Sequence, residues 1–336
     1  MAIGFDVGTY NLVCSKRDDK SNFVHKREVN AFIEVPLEHD FVFNMMKNAG
    51  VPLIQREKVA YALGESAVKM AYAINSMELK RPMADGCVNP KEKEAYQILS
   101  IMVHSLIETV KEDKETLYYC VPANAINVET DASYHQKILE GIFKAFRNKD
   151  GLRVDPHPIN EALALVYAEL SKKAYTGIGI SFGAGMVNLC MAMFGNPVFS
   201  FAIVNSGDWI DKQAARATAE SATFINKQKT KVDLSKAPGD LVERAIHTQY
   251  RLMIEHCVSE IKSGLTKNSK VVRTDDPFDI IVAGGTSSPN GFVEMFKSVL
   301  DDAKLPITVG EVIRPADTLY SVARGCLLAA EAATRK

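Results

Sequence analysis

Short apolar blocks joined by glycine turns occur twice along this chain, at its start and again past its middle. Residues 2–7 and 10–16 predict two strands joined across Gly8, with 23–29 and 31–35 as further strands. Residues 176–182 and 186–194 repeat the design across Gly183-Ala184-Gly185, and 197–204 completes a second three-stranded meander. Helical spacing runs over 91–112, where Ile98, Ile101, Met102, Leu106 and Val110 share a face, and over 131–147, with Ile138, Ile142 and Phe143. Further helices are predicted over 160–172, 208–219, 241–266, from past Pro289 to about 304, and over 318–333. Residues 117–121 and 280–283 read as short buried strands.

The less regular stretch 36–76, with a strand-like 59–63 and a helical 66–74, reads as an insertion forming a small rim subdomain of the first half. A second rim subdomain is expected at about 208–266, with the polar stretch 220–240 as its insertion. Each half then carries three meander strands, a rim insertion, helices, and a further buried strand followed by a helix. That tandem pattern predicts a duplicated α/β fold of two domains, 1–155 and 156–336, each a mixed sheet flanked by helices. The cleft between pseudo-twofold-related halves is the default ligand site.

Composition narrows the classes. The chain has 336 residues, 47% hydrophobic and 24% charged, as an ordinary globular protein does. Lys and Arg number 40 against 41 Asp and Glu, interspersed, so no basic stripe for direct nucleic-acid binding is present. The start enters a strand at once without a signal-peptide pattern, and no apolar run reaches the ~18–20 residues of a membrane span. Six scattered cysteines without CxxC spacing read as reduced core thiols, so a cytoplasmic location is expected.

Four segments carry candidate chemistry. Asp6, Gly8, Thr9, Tyr10 and Asn11 form a strand-end carboxylate plus a turn whose N–H groups and Thr9 hydroxyl can hold phosphate oxygens, while Asp6 orients water on a metal ion. Ser181, Gly183, Ala184 and Gly185 repeat this geometry about 175 positions later. Gly284, Gly285, Thr286 and Ser287, between a buried strand and a helix, let backbone approach a flat ring or a phosphate. Glu161, at a helix start, can orient or deprotonate water. Each also has a plain structural reading: two hairpin turns, a capped strand–helix turn, and a first-turn acid favoured by the helix dipole. No P-loop pattern and no zinc-type His/Cys cluster is present.

In this order the segments resemble the actin, sugar kinase and heat-shock chaperone ATPase superfamily. The resemblance is carried by IGFDVGTYNLV (3–13), PINEALALVYA (158–168), IIVAGGTSSPNGF (280–292) and DTLYSVARGCLLAA (317–330), the second and last being similar to the two connecting helices. Within it, LKRPMADGCV (79–88), YYCVPANAINVET (118–130) and NSGDWIDKQ (205–213) resemble bacterial actins of the MreB and MamK type. The resemblance implies an actin-like (ribonuclease H-like) fold with four subdomains, ATP or ADP with Mg²⁺ in the cleft, and head-to-tail cytoskeletal filaments, with a cargo or adaptor protein as a further partner. It assigns phosphate contacts to Thr9–Asn11 and Gly183–Gly185, adenosine to Gly284–Ser287, water activation to Glu161, and places near the nucleotide Gly207 and, from INKQK (225–229), Asn226 and Lys229. The chain departs from the family pattern where Ser181 replaces a carboxylate and Met186, Val187 and Asn188 replace a run of Thr, Thr and an acid. Nucleotide binding with slow or altered hydrolysis is therefore expected, a weak ATPase at most. Two rivals are a monomeric actin-fold adaptor and a small-molecule kinase, though no catalytic Asp of a sugar site is found.

Overall fold

The computed structural model describes residues 2–334 except 39, 75–76, 127, 129–131 and 271–275. The chain opens with an antiparallel meander of β1 (Ala2–Val7), β2 (Asn11–Arg17) and β3 (Phe23–Val29). A rim follows: β4 (Phe32–Pro36), α1 (Asp40–Asn48), β5 (Leu53–Arg56), β6 (Val59–Leu63) and α2 (Gly64–Ala73), with its strands in a separate antiparallel sheet ordered β4-β6-β5. A ribbon of β7 (Met83–Ala84) and β8 (Cys87–Val88) returns the chain to α3 (Ala95–Ile107), β9 (Glu115–Val121), α4 (Ala132–Ala145) and β10 (Val154–Asn160). The second half runs α5 (Glu161–Glu169), β11 (Gly177–Phe182), β12 (Val187–Met193), β13 (Asn196–Ile203), α6 (Gly207–Thr218), α7 (Ala222–Lys229) and α8 (Leu241–Lys267). It ends with β14 (Phe278–Ala283), α9 (Phe292–Ala303), β15 (Val309–Ile313) and α10 (Ser321–Thr334).

The duplication is visible in strand order. One sheet reads β10-β9-β1-β2-β3 and the other β15-β14-β11-β12-β13, each an antiparallel meander continued by two parallel strands. Each half has its own apolar core. In the first, Phe5 packs edge-on to Phe143 beside Tyr119, and in the second Phe182 packs edge-on to Phe292 and Phe296. Helix α5 lies on β11 and β12, α10 lies on β1 and β9, and the two helices cross each other between the sheets.

Glycine makes these approaches possible. A Cβ on Gly325 would lie 1.8 Å from the Ala164 carbonyl oxygen, so α10 and α5 cross with backbones almost touching. A Cβ on Gly4 would meet the Ala323 oxygen at 2.2 Å, and one on Gly179 the Ala162 oxygen at 2.4 Å. The same device thus seats each helix on the first strand of a meander.

Several sequence expectations change. The strand β10 runs counter to the sequence pattern, because Pro156 and Pro158 argue against a strand; it tolerates them as an edge, where missing N–H donors face no partner on one side. The opposite sheet's edge, β15, escapes the sequence pattern through its alternating exposure and short length. In the rim, α1 and β5 are regular elements within a stretch expected to be irregular. Helix α3 is shorter at both ends than 91–112, and at its C-terminal end Glu108 turns to φ +53° and stops it. Helix α10 starts at Ser321 rather than 318 after a turn in which the Tyr320 N–H donates to the Asp317 oxygen. The expected first residue of the α4 helix, 131, lies outside the described residues, as do 39, 75 and 76 of the expected rim insertion and 127, 129 and 130 of the 118–130 segment. No helix among the described residues is long and apolar enough to cross a membrane.

A side chain at the crossing cannot be absorbed without separating two backbones. Gly325→Val is expected to lower stability by about 3 kcal/mol. Gly141→Ala, in the interior of α4 with nothing within 4 Å of a new Cβ, is expected to raise it by about 0.5–1 kcal/mol. Urea midpoints measure both, and a Gly325→Val midpoint equal to wild type would contradict the close crossing.

Candidate functional site

Beyond β1 and β11 the chain makes the same tight turn. The Gly8 N–H donates to the Asn11 oxygen at 3.0 Å, and the Gly183 N–H to the Met186 oxygen at 2.9 Å. The first turn is held from behind by Asn30, whose N–H donates to the Tyr10 oxygen and whose side-chain amide donates to the Gly8 oxygen. The second is held by the start of α6: Gly207 N–H donates to the Gly183 oxygen, and Asp208 N–H and the Ser206 hydroxyl to the Ala184 oxygen. The Thr286 hydroxyl also donates to the Gly183 oxygen at 2.8 Å. The N–H groups of Thr9, Tyr10, Ala184 and Gly185 have no acceptor among the described residues. Unpaired amides in a concave turn form an anion-binding cradle. The two turns meet: a Cβ on Gly185 would lie 2.4 Å from Thr9 Oγ1 and 2.3 Å from Gly86 N.

These turns line a cleft of about 300 Å³ between the halves. Of the residues singled out from sequence, Asp6, Gly8, Thr9, Tyr10, Asn11, Glu161, Ser181, Gly183, Ala184, Gly185, Asn226, Lys229, Gly284, Gly285 and Thr286 line it. Gly207 sits behind the second turn, where a Cβ would meet Thr286 Oγ1 at 2.5 Å, and Ser287 is buried with its hydroxyl donating to the Gly284 oxygen. Gly284 adopts φ +91°, and a Cβ there would strike the Phe182 oxygen at 2.5 Å. Lys229 and Asn226 reach the wall already engaged. The Lys229 ammonium is buried, 2.8 Å from an Asp211 carboxylate oxygen and donating to the Gly207 oxygen, and Asn226 donates to Asp211 as well.

The acids sit on the cleft floor. The Cys120 thiol donates to Asp6 Oδ1 at 3.1 Å, while Asn188 donates to Glu161 Oε2 at 2.8 Å and accepts the Ala123 N–H. Asn188, a lost acid by the sequence pattern, therefore has a definite role, since the Ala123 bond fixes its amide so that the NH₂ faces Glu161. Met186 is buried, packed with Ala123 and Ala202. Both carboxyls keep a little surface open to the cleft yet are enclosed by protein further out. Burial, then the charge of Asp6, pushes Glu161 up to about 8, opposed by a hydrogen bond from Ser181. Burial pushes Asp6 up to about 6, opposed by the Cys120 bond. No cation pairs with either acid among the described residues, and these hold no cluster of three or more His, Cys, Asp or Glu suited to a metal.

Sequence reasoning misses Arg27, Cys120, Thr318, Leu319 and Val322 as cleft residues. Cys120 stands in a segment of family-like pattern and Thr318 to Val322 in a recognised helix, but Arg27 lies in a strand with no motif. The acids also set a pH dependence. A carboxyl whose folded pKa lies above its unfolded value binds its proton more tightly in the folded state. The stability it contributes is full below about 4.5 and is lost as pH rises through about 8. The ligand-free chain is expected to lose urea stability from pH 5 to 8, and Glu161→Gln to flatten that slope and be the more stable at pH 8. Identical slopes in the two proteins would contradict the enclosed-acid description.

No curated protein sequence matches the chain. Among solved structures, the MamK double helical filament matches with TM-score 0.71 at 15% identity, covering 98% of each chain. MreB 5 of Spiroplasma citri bound to AMPPNP matches with TM-score 0.65 at 15% identity, over 99% of this chain and 97% of that one. The ethanolamine utilization protein EutJ from Carboxydothermus hydrogenoformans matches with TM-score 0.55 at 17% identity, over 97% and 88%. At such identities the likeness is one of fold, and the fold is the duplicated mixed-sheet one expected from the tandem meanders, of the actin-like kind that the sequence resemblance implies. The family described as Volactin matches residues 1–330, nearly the whole length, and the chain belongs to the Volactin family.

Proposed function

We propose that this chain is an actin-like cytoskeletal protein that binds ATP or ADP in its interdomain cleft, hydrolyses it slowly, and polymerises head-to-tail into filaments. The observation that carries the reading is the pair of meeting turns with four N–H groups that have no acceptor among the described residues, which suits a run of phosphates. Thr9, Tyr10 and Asn11 take the phosphates from one side and Gly183 to Gly185 from the other. Gly284 to Thr286, with Thr318 and Leu319, receive the nucleoside. Structural neighbours support the reading through what they hold or form: MamK as a double helical filament, a non-polymerising MamK mutant with AMPPNP, and MreB 5 with ADP or AMPPNP. A cytoplasmic setting and a cargo or adaptor partner belong to the same proposal.

The donor set fits Mg²⁺ held through water. Two enclosed carboxyls lack a cationic partner among the described residues, and too few ligands converge for a metal bound by protein alone, which suits an ion that keeps waters and uses phosphate oxygens. When bound, Mg²⁺ would supply charge neutralisation at the phosphates. Glu161, steadied by Asn188 and Ser181, would orient a water at the cleft floor. It can take that water's proton only when ionised, and its raised pKa limits the ionised fraction at neutral pH. Ser181 contributes no carboxylate there, and buried Met186 contributes no hydrogen bond. Both support slow turnover.

Pelleting and negative-stain microscopy with ATP, ADP, AMPPNP and no nucleotide test polymerisation. Filaments are expected with the triphosphates. A chain that stays monomeric under every condition would favour the adaptor reading instead. Ser181→Asp is expected to speed steady-state phosphate release on the order of tenfold to a hundredfold. Release from wild type already as fast as from the substituted chain would overturn the slow-hydrolysis part.

A further inference from the structure

We propose that the N-terminal tip of α8 on one copy of the chain docks into an apolar socket beside α9 on the next copy. The inference rests on the head-to-tail reading above and names the two surfaces that meet. An open cavity of about 390 Å³ lies between the C-terminal half of α9 and the edge strand β15, and it shares no residue with the nucleotide cleft. Of its apolar lining, Leu300 and Val312 are buried, while Leu305, Ile307 and Val309 are only half-buried. Exposed Lys297, Lys304 and Asp301 line it as well.

The matching knob is Leu241, the first residue of α8, which is 61% exposed while its neighbour Val242 packs on the core. The tip is held by a reciprocal cap. The Asp240 side chain accepts the Glu243 N–H at 2.8 Å, and the Glu243 carboxylate accepts the Gly239 N–H at 2.7 Å. Leu241 is thereby fixed between two carboxylates, so little freedom is lost when it docks. Exposed Arg244 follows within the same turn. Two acids and one base on the knob face two bases and one acid on the socket.

Geometry makes the contact head-to-tail. Helix α9 runs beside α8 in the same direction: Tyr250 meets the Phe292 ring edge-on where α9 starts, and Lys262 Nζ donates to the Ala303 oxygen where it ends. The socket is therefore level with Lys262, roughly 30 Å along α8 from Leu241. Knob and socket cannot meet within one chain. They are different patches displaced along one axis, so the contact between copies is heterologous and repeats without closing. A foreign partner would account for one of the surfaces, whereas a second copy accounts for both.

Pelleting of the full chain with AMPPNP and Mg²⁺ gives a critical concentration for assembly. Leu241→Glu is expected to raise it at least about tenfold, because a charge would enter an apolar socket. The site is exposed and an acid in the first turn suits the helix dipole, so the urea midpoint and the AMPPNP affinity should stay at wild-type values. Lys297→Glu together with Lys304→Glu should also raise the critical concentration. A chain carrying both Leu241→Cys and Ile307→Cys, oxidised with diamide after assembly, should give a ladder of disulfide-linked oligomers, and neither single substitution should. Wild-type filaments with an unchanged critical concentration in Leu241→Glu, or no ladder from the doubly substituted chain, overturn this inference alone. So does cross-linking of Leu241→Cys by itself, which would mean that like patches meet. A wild type that forms no filaments overturns the head-to-tail reading and this inference with it.

Discussion

The crossing of α5 and α10 is the constraint on which the rest depends. Two helices whose backbones meet at Gly325 and Ala164 hold the halves together at one point, and each helix is seated on a meander through a second glycine, Gly4 or Gly179. Because those glycines stand two residues before Asp6 and Ser181, the seating also fixes where each strand ends. The turns that follow, at Gly8 and Gly183, are brought face to face by the same geometry that joins the halves. The ligand cleft is in this sense a consequence of helix packing. A bulkier side chain at any of the three glycines would move a turn as well as a helix.

A pair of enclosed carboxyls lies where the halves meet. Asp6 comes from the first sheet and Glu161 from the start of α5; burial raises both pKa values, and the charge of Asp6 raises that of Glu161 further. Neutral hydrogen-bond partners, Cys120, Ser181 and Asn188, hold them without supplying a counter-charge. Such a floor is costly when ionised and empty, and the cost falls when a cation enters. The Arg81–Asp208 pair, which ties the segment before β7 to α6, adds a direct link between the halves near the first turn.

The sequence made legible whatever depends on local pattern. The strand–glycine–strand blocks with their offset of about 175 residues, the amphipathic helices and the Gly284-Gly285 turn follow from periodicity and from the conformational freedom of glycine, and they sufficed for the duplicated mixed-sheet fold. Of the edge strands, β3 and β13 were legible as meander strands, and β10 and β15 escaped. Pro156 and Pro158 disguise β10, and β15 is too short and too exposed to carry a clear alternation. An edge position asks little of a sequence, since only one side must pair.

Tertiary structure alone decided which side chains share the cleft and what they do there. Ser181, Met186 and Asn188 look in the sequence like simple losses, but folding makes Ser181 and Asn188 the partners of Glu161 and turns Met186 into packing. Lys229 looks like a free ligand group until Asp211, eighteen positions away in sequence, claims it. Arg27 has no motif at all and reaches the cleft because strand alternation and the lie of β3 against α10 carry it there. Sequence specifies periodicity and turn chemistry because these act between near neighbours. Pairing of charges and enclosure of acids depend on residues distant along the chain, and only the packed fold brings them within reach.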